Sequence, residues 1–267
     1  MNLKFDPAVA IGYKSPSQIA RRKTEDWMEH NMFCPICGNP MLNHYSNNLP
    51  VADFYCPHCH ADYELKSKRQ KNGLLGEKIN DGAYDTMIER IQSYNNPNFF
   101  FLNYFEDAVN DLWFVPNFFF VPSIIEKRKP LAEDARRAGW MGCEILVGGI
   151  PDSGKIQIVK NSKPIATELV LAQYKRTESL ITRNLESRGW LMDTLSCVER
   201  IPEEYFSLDD MYAFINELQA KHPQNLHISD KIRQQLQFLR NKGYIEFLGR
   251  GHYRKLPFKT EGRCMAL

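Results

Sequence analysis

The chain has 267 residues, 43% hydrophobic and 25% charged, which excludes a disordered or fibrous protein and leaves room for one large domain or two smaller ones. Thirty-four basic against thirty-two acidic residues give a net charge of +2, so overall balance alone points to no polyanionic partner. The longest apolar runs, Phe99 to Leu102 and Phe118 to Val121, fall far short of the ~20 residues that cross a bilayer, and Met1-Asn2-Leu3-Lys4-Phe5-Asp6-Pro7 has no secretion signal, so a cytoplasmic protein without a membrane partner is expected.

In chain order, Pro16 to Asn31 reads as a first helix, with Ile19, Ala20, Trp27 and Met28 at helical spacing and Ser15 or Ser17 as its cap. A second helix is predicted from Asp81 to about Tyr94, where Met87, Ile88 and Ile91 share a face and Asn95-Asn96-Pro97 stops it. Asn98 to Leu102 and Leu112 to Val115 read as strands of a core sheet, which makes the first part of the chain an α/β (α+β, mixed-sheet) pattern. After Thr177-Glu178-Ser179 helical periodicity takes over and short strands return only near the end. A domain boundary is therefore expected near residue 180, giving domains 1–180 and 181–267.

Four of the seven cysteines form two pairs, Cys34-Pro35-Ile36-Cys37 and Cys56-Pro57-His58-Cys59, eighteen residues apart. Two C-x2-C knuckles at that distance match four-cysteine zinc spacing, since each knuckle aims two thiolates at one ion while backbone amides hydrogen-bond the sulfurs. Four protein ligands leave no open position, so the expected Zn²⁺ is structural. Cys143, Cys197 and Cys264 remain as ordinary thiols, and His58 and His60 are expected to face solvent. A zinc deaminase is excluded, because that chemistry needs H-x-E with P-C-x-x-C and neither knuckle follows a proline.

Around the second knuckle the chain reads Val51-Ala52-Asp53-Phe54-Tyr55, the knuckle, then Ala61-Asp62-Tyr63-Glu64-Leu65-Lys66-Ser67-Lys68. Two strands flanking the zinc turn are expected. Period-2 alternation puts Tyr63 and Leu65 on one face and Glu64 and Lys66 on the other, and a hairpin brings Asp53 alongside. Asp followed by Glu-x-Lys on a neighbouring strand resembles the PD-(D/E)xK nucleases. In that chemistry two carboxylates, here Asp53 and Glu64, hold Mg²⁺, while a lysine, here Lys66, orients the attacking water or stabilises the developing phosphorane charge.

The resemblance is wider than these three residues. Asn47-Asn48-Leu49-Pro50, Val-Ala-Asp-Phe-Tyr-Cys at 51–56, Glu-Leu-Lys-Ser-Lys at 64–68, Ile-Asn-Asp-Gly-Ala-Tyr at 79–84, Asn-Asn-Pro-Asn-Phe-Phe-Phe-Leu at 95–102 and Arg-Arg-Ala-Gly-Trp at 136–140 look like the DpnI-like, methyl-directed type II restriction endonucleases over nearly the whole chain. The resemblance implies a PD-(D/E)xK nuclease domain with an embedded four-cysteine zinc site and a C-terminal winged helix. It also implies cleavage of double-stranded DNA at GATC carrying N6-methyladenine. One departure is that Pro50 stands three residues before Asp53 rather than directly before it.

From Lys221 to Lys259 nine Lys/Arg stand against Asp230 and Glu246, a local +7 inside a near-neutral chain that makes nucleic acid a fitting partner. Ser229 is read as the cap of a helix from Asp230 to Asn241, with Ile232, Leu236 and Leu239 on its apolar face and Lys231, Arg233, Gln234, Gln235 and Gln237 on the others. Tyr244 to Leu248, the turn Gly249-Arg250-Gly251 and His252 to Leu256 follow as a hairpin, completing the winged-helix pattern. Gln suits adenine and Arg suits guanine in the major groove, and Arg250 at the wing tip suits a backbone contact. Trp140 is read either as a loop residue that reaches the methylated base or as a core tryptophan. A monomer is expected. The competing reading is a zinc-ribbon and winged-helix transcription regulator in which Asp53, Glu64 and Lys66 are surface residues and nothing is cleaved.

Overall fold

The computed structural model describes residues 1–46, 52–70 and 76–257; the quoted Asn47-Asn48-Leu49-Pro50-Val51 and Cys264 lie outside them. The chain divides into two compact units, Met1–Lys175 and Arg176–Leu267.

In the first unit, helix α1 (Pro16–Asn31) opens with proline at its first position, where the missing N–H costs nothing, and follows Ser15, whose hydroxyl bonds Ser17 rather than capping the backbone. Then come β1 (Asn43–His44), β2 (Phe54–Tyr55), β3 (Asp62–Arg69), β4 (Lys78–Ala83), α2 (Tyr84–Ser93), β5 (Asn98–Phe105), β6 (Ala108–Val115), β7 (Ile125–Lys127), β8 (Gly142–Leu146), β9 (Ile156–Lys160), β10 (Lys163–Pro164) and α3 (Thr167–Thr177), whose last two residues are counted in the second unit.

Seven strands form one mixed sheet in the order β1-β2-β3-β5-β6-β9-β10, and β4-β8-β7 form a small antiparallel sheet. Only β3 and β5 pair in parallel in the larger sheet. A parallel pair needs a crossover, and the chain between them supplies β4 and α2. The central position of β5 explains its unbroken apolar run, since Phe99, Phe100, Phe101 and Leu102 are buried on both faces. Each such side chain contributes about 1.5–3 kcal/mol by leaving water. Helix α1 packs against β3 through Thr24, whose hydroxyl reaches Ser67 Oγ at 3.4 Å, and buries Trp27 and Met28.

Helix α2 is shorter than its periodicity predicts. Residues 81–83 belong to β4, where alternating burial and pairing with β8 outweigh helix formation and Gly82 is a poor helix former. Tyr94 ends the helix in a left-handed conformation at φ 58°.

The second unit contains α4 (Leu185–Arg200), β11 (Tyr205–Ser207), α5 (Leu208–Tyr212), α6 (Ile215–Lys221), α7 (Ile228–Asn241), β12 (Ile245–Gly249) and β13 (His252–Lys255), with the sheet ordered β11-β13-β12. Helix α4 is buried from Arg188 through Val198 and forms the centre of this unit. Its buried Asp193 is satisfied by Lys221 Nζ at 3.0 Å and His222 Nε2 at 2.9 Å, and His222 stacks on Trp190. Helices α6 and α7 form a helix-turn-helix pair, and the β12–β13 hairpin follows α7 directly.

Helix α7 departs from its sequence pattern in two places. The helix starts at Ile228, after His227, so Ser229 lies in its first turn and is not the cap; burial of Ile228 draws it into the helix. Gln235, predicted on an outer face, is 2% exposed. It falls on the i, i+3, i+4 stripe with Ile232, Leu236 and Leu239 and cannot reach a DNA groove.

Candidate metal centre and active site

The two knuckles meet as their spacing predicts. The sulfurs of Cys34, Cys37, Cys56 and Cys59 all lie within 4.8 Å of one another. Cys34 and Cys59 Sγ are 3.6 Å apart, as are Cys37 and Cys56 Sγ. Tetrahedral coordination with ~2.3 Å zinc–sulfur bonds requires sulfurs about 3.8 Å apart, so the set fits a zinc ion in spacing and in soft-donor chemistry. Backbone N–H groups already point at the sulfurs: Cys37 to Cys34 at 3.5 Å, and His58 and Cys59 to Cys56 at 3.4 and 3.5 Å. The Tyr63 hydroxyl reaches Cys34 Sγ at 2.9 Å. His58 and His60 are exposed beside the cluster.

The second knuckle turns the chain from β2 into β3, which pair antiparallel as Phe54↔Tyr63 and Tyr55↔Asp62. That hairpin places Asp53 beside β3: its backbone N–H donates to Tyr63 O at 3.0 Å, and its Oδ2 accepts from the Leu65 N–H at 2.7 Å. On β3 itself Lys66 Nζ donates to Glu64 Oε1 at 2.5 Å. Both side chains are largely covered, 20% exposed for Glu64 and 19% for Lys66. The Arg90 guanidinium lies 3.8 Å from the other Glu64 oxygen.

A third carboxylate, absent from the sequence-derived set, joins this group. Asp81 of β4 accepts a hydrogen bond from Lys66 Nζ. The small sheet brings Asp81 to Lys66, and the sequence signal for it is its place in the run Ile79-Asn80-Asp81-Gly82-Ala83-Tyr84 that shares in the family resemblance.

The electrostatics follow from this crowding. Burial raises the Glu64 carboxyl, Lys66 opposes that, and the charges of Asp81 and Asp53 add to it, leaving the group above the usual carboxylate range. Burial works against the Lys66 charge, but Glu64 and Asp81 outweigh it and hold the amine above the ordinary lysine value. Asp53 and Glu64 offer the oxygen donors a hard divalent ion prefers. Among the described residues only the four cysteines already converge as a ready metal cage. The carboxylates do not, because the Lys66 ammonium bridges Glu64 and Asp81 while Asp53 is held by Leu65.

The DNA-contact candidates fall in both units. In the first, Trp140 closes a loop with Leu131, is half-buried and carries the Arg137 guanidinium 4.7 Å from its ring centre, an intermediate state between the two readings of that residue. In the second, Arg233 and Gln234 are exposed on α7, Lys231 is half-buried there, and Arg250 is exposed at the tip of the hairpin. No helix among the described residues is long and apolar enough to cross a membrane.

Fold and site together define a two-part protein, a mixed α/β unit that carries a four-cysteine cluster and a unit that carries a helix-turn-helix. The model of the Dam-replacing family, DpnI, matches residues 1–183, and that of the Dam-replacing HTH domain matches residues 186–255. The chain belongs to the Dam-replacing (DpnI) family. That family implies a methyl-directed restriction endonuclease, and the helix-turn-helix domain implies that it binds DNA.

Proposed function

We propose that this protein is a Mg²⁺-dependent type II endonuclease of the PD-(D/E)xK kind that cleaves double-stranded DNA at GATC carrying N6-methyladenine. The observation that carries the reading is the assembly of Asp53, Glu64 and Lys66 on one hairpin edge, in a chain of this family. Asp53 and Glu64 are the metal-holding pair. When bound, Mg²⁺ supplies Lewis-acid polarisation of the scissile phosphate and a more acidic water. Lys66, charged at neutral pH, presents its ammonium to the attacking water and to the charge that develops on phosphorus. The four cysteines hold a structural Zn²⁺ that braces the hairpin from which Asp53 and Glu64 project. Methylated DNA is bound through Lys231, Arg233, Gln234 and Arg250 of the helix-turn-helix unit, with Trp140 contributing from the nuclease unit.

The test is cleavage of methylated and unmethylated GATC plasmid with and without Mg²⁺, by the wild type and by Asp53→Ala, Glu64→Ala and Lys66→Ala. Cleavage of methylated plasmid that needs Mg²⁺ and all three side chains, with gel retention of methylated duplex surviving the substitutions, supports the reading. Cutting by Glu64→Ala or Lys66→Ala at close to the wild-type rate rejects the site, and retention of DNA without any cleavage supports a regulator instead.

A further inference from the structure

The ammonium of Lys66 has a second anchor that the proposed mechanism does not use. Asp81 comes from β4, a strand of the small sheet, whereas Lys66 and Glu64 share β3 of the large one. Its Oδ1 faces two donors, Lys66 Nζ and the Gly82 N–H at 2.7 Å, and its carboxylate is 7% exposed. The pairing of β4 with β8 shifts register between Asp81 and Ala83, a bulge of the sort that re-aims a side chain out of regular alternation. Across that register stands Cys143, a buried thiol that offers Asp81 no charge.

We infer that Asp81 is the positioning residue of this site, holding the Lys66 amine in place while Glu64 turns its charge to the metal. The inference rests on the cleavage reading above. Lys66 divides its protons between two carboxylates, and one of them is assigned to Mg²⁺. A carboxylate facing a divalent cation is a weaker acceptor for an ammonium, because the cation's field opposes the attraction. A lysine on a flexible four-carbon stem then needs another fixed acceptor to stay directed at the phosphate. Asp81 supplies it from a different sheet, so its position does not follow Glu64. In this role it touches neither DNA nor the metal.

The experiment uses the full chain with Asp81→Asn, Asp81→Glu, Glu64→Ala and Lys66→Ala, measuring cleavage across DNA and Mg²⁺ concentrations alongside gel retention and thermal midpoint. Asp81→Asn keeps the acceptor for Gly82 and removes the charge facing Lys66. Its kcat is expected to fall about 10–100-fold, the cost of a misplaced catalytic group. The KM for DNA and the half-saturating Mg²⁺ should stay near wild type, and Asp81→Glu should recover part of the rate by returning a carboxylate. A merely structural role would lower the thermal midpoint and gain nothing from Asp81→Glu, and that outcome overturns the inference. So does a kcat near wild type in Asp81→Asn, or a tenfold rise in half-saturating Mg²⁺ that restores kcat at high metal, which would make Asp81 a ligand. If Asp81→Asn fails to fold, Asp81→Glu decides: a lower kcat at unchanged half-saturating Mg²⁺ supports the role, and unchanged kcat overturns it. Should Glu64→Ala and Lys66→Ala cut like wild type, the cleavage reading itself fails; should they be inactive while Asp81→Asn is not, only the inference does.

Discussion

The hydroxyl of Tyr63 lies 2.9 Å from the Sγ of Cys34, and the next residue on the same strand is Glu64. One side chain thus ties the four-cysteine cluster to the strand that carries the acidic and basic groups of the site. The Tyr63 ring stacks on Phe100 at 5.0 Å, so the tie is anchored in the core of the sheet.

Tyr63→Phe keeps that stacking and removes only the donor to the sulfur. Partners of metal ligands commonly set affinity by about 10–100-fold, so zinc should be lost to a competing chelator at correspondingly lower concentration. Chelator titration of the purified protein measures it, and unchanged retention would show the hydroxyl to be incidental.

Metal removal should separate the two ions. EDTA at a level that strips Mg²⁺ is expected to stop cleavage while leaving DNA retention intact, because the helix-turn-helix unit holds no metal ligand in the proposed scheme. Added Mg²⁺ should restore cutting. Removal of zinc should instead lower the thermal midpoint, since ligand binding and folding are coupled at a closed four-thiolate site.

At the wing, residues 249 to 251 all have positive φ, 97° for Gly249, 49° for Arg250 and 79° for Gly251, the pattern that a tight hairpin turn demands. Arg250 is the one of the three that must bear a side chain there. Arg250→Ala should weaken DNA retention about equally for all sequences and reduce the salt slope by roughly one. Gln234→Ala should instead relax discrimination at one base pair by about 1–3 kcal/mol, read from competition with altered sites.

The core offers a sharper stability test. A Cβ on Gly154 would lie 2.5 Å from Cδ1 of Phe119, itself fully buried. Gly154→Ala should therefore cost about 1–3 kcal/mol in urea unfolding. Gly148→Ala, where a Cβ meets nothing within 4 Å, is the control and should stay within about 0.5 kcal/mol.

What could be read in advance divides along physical lines. The cysteine knuckles and the Asp53 to Lys66 hairpin were legible because both depend on short-range spacing and strand alternation, and α1 matched its expected bounds at Pro16 and Asn31 for the same reason. Asp81 was not legible, because its approach to Lys66 depends on pairing between β4 and β8, more than fifty residues apart in the chain. Gln235 is polar yet sits inside, because its place on the apolar stripe of α7, not its polarity, sets its burial. The cover of Trp140 is set by the loop that Leu131 closes onto it, not by its own chemistry, so the residue type alone does not reveal it.

The seven-stranded sheet ends at both sides in strands of two residues, β1 and β10, and Pro164 in β10 has no N–H to offer. A long free strand is a template on which another chain can add, and strands this short offer little of one, although β2 covers β3 only at Asp62 and Tyr63. The aromatic run of β5 would be a strong seed for self-association if it stood at a margin. With β3 on one side and β6 on the other, it is kept from any partner but its own sheet, so resistance to aggregation should be lost first by mutations that detach β3 or β6 rather than by changes at the surface.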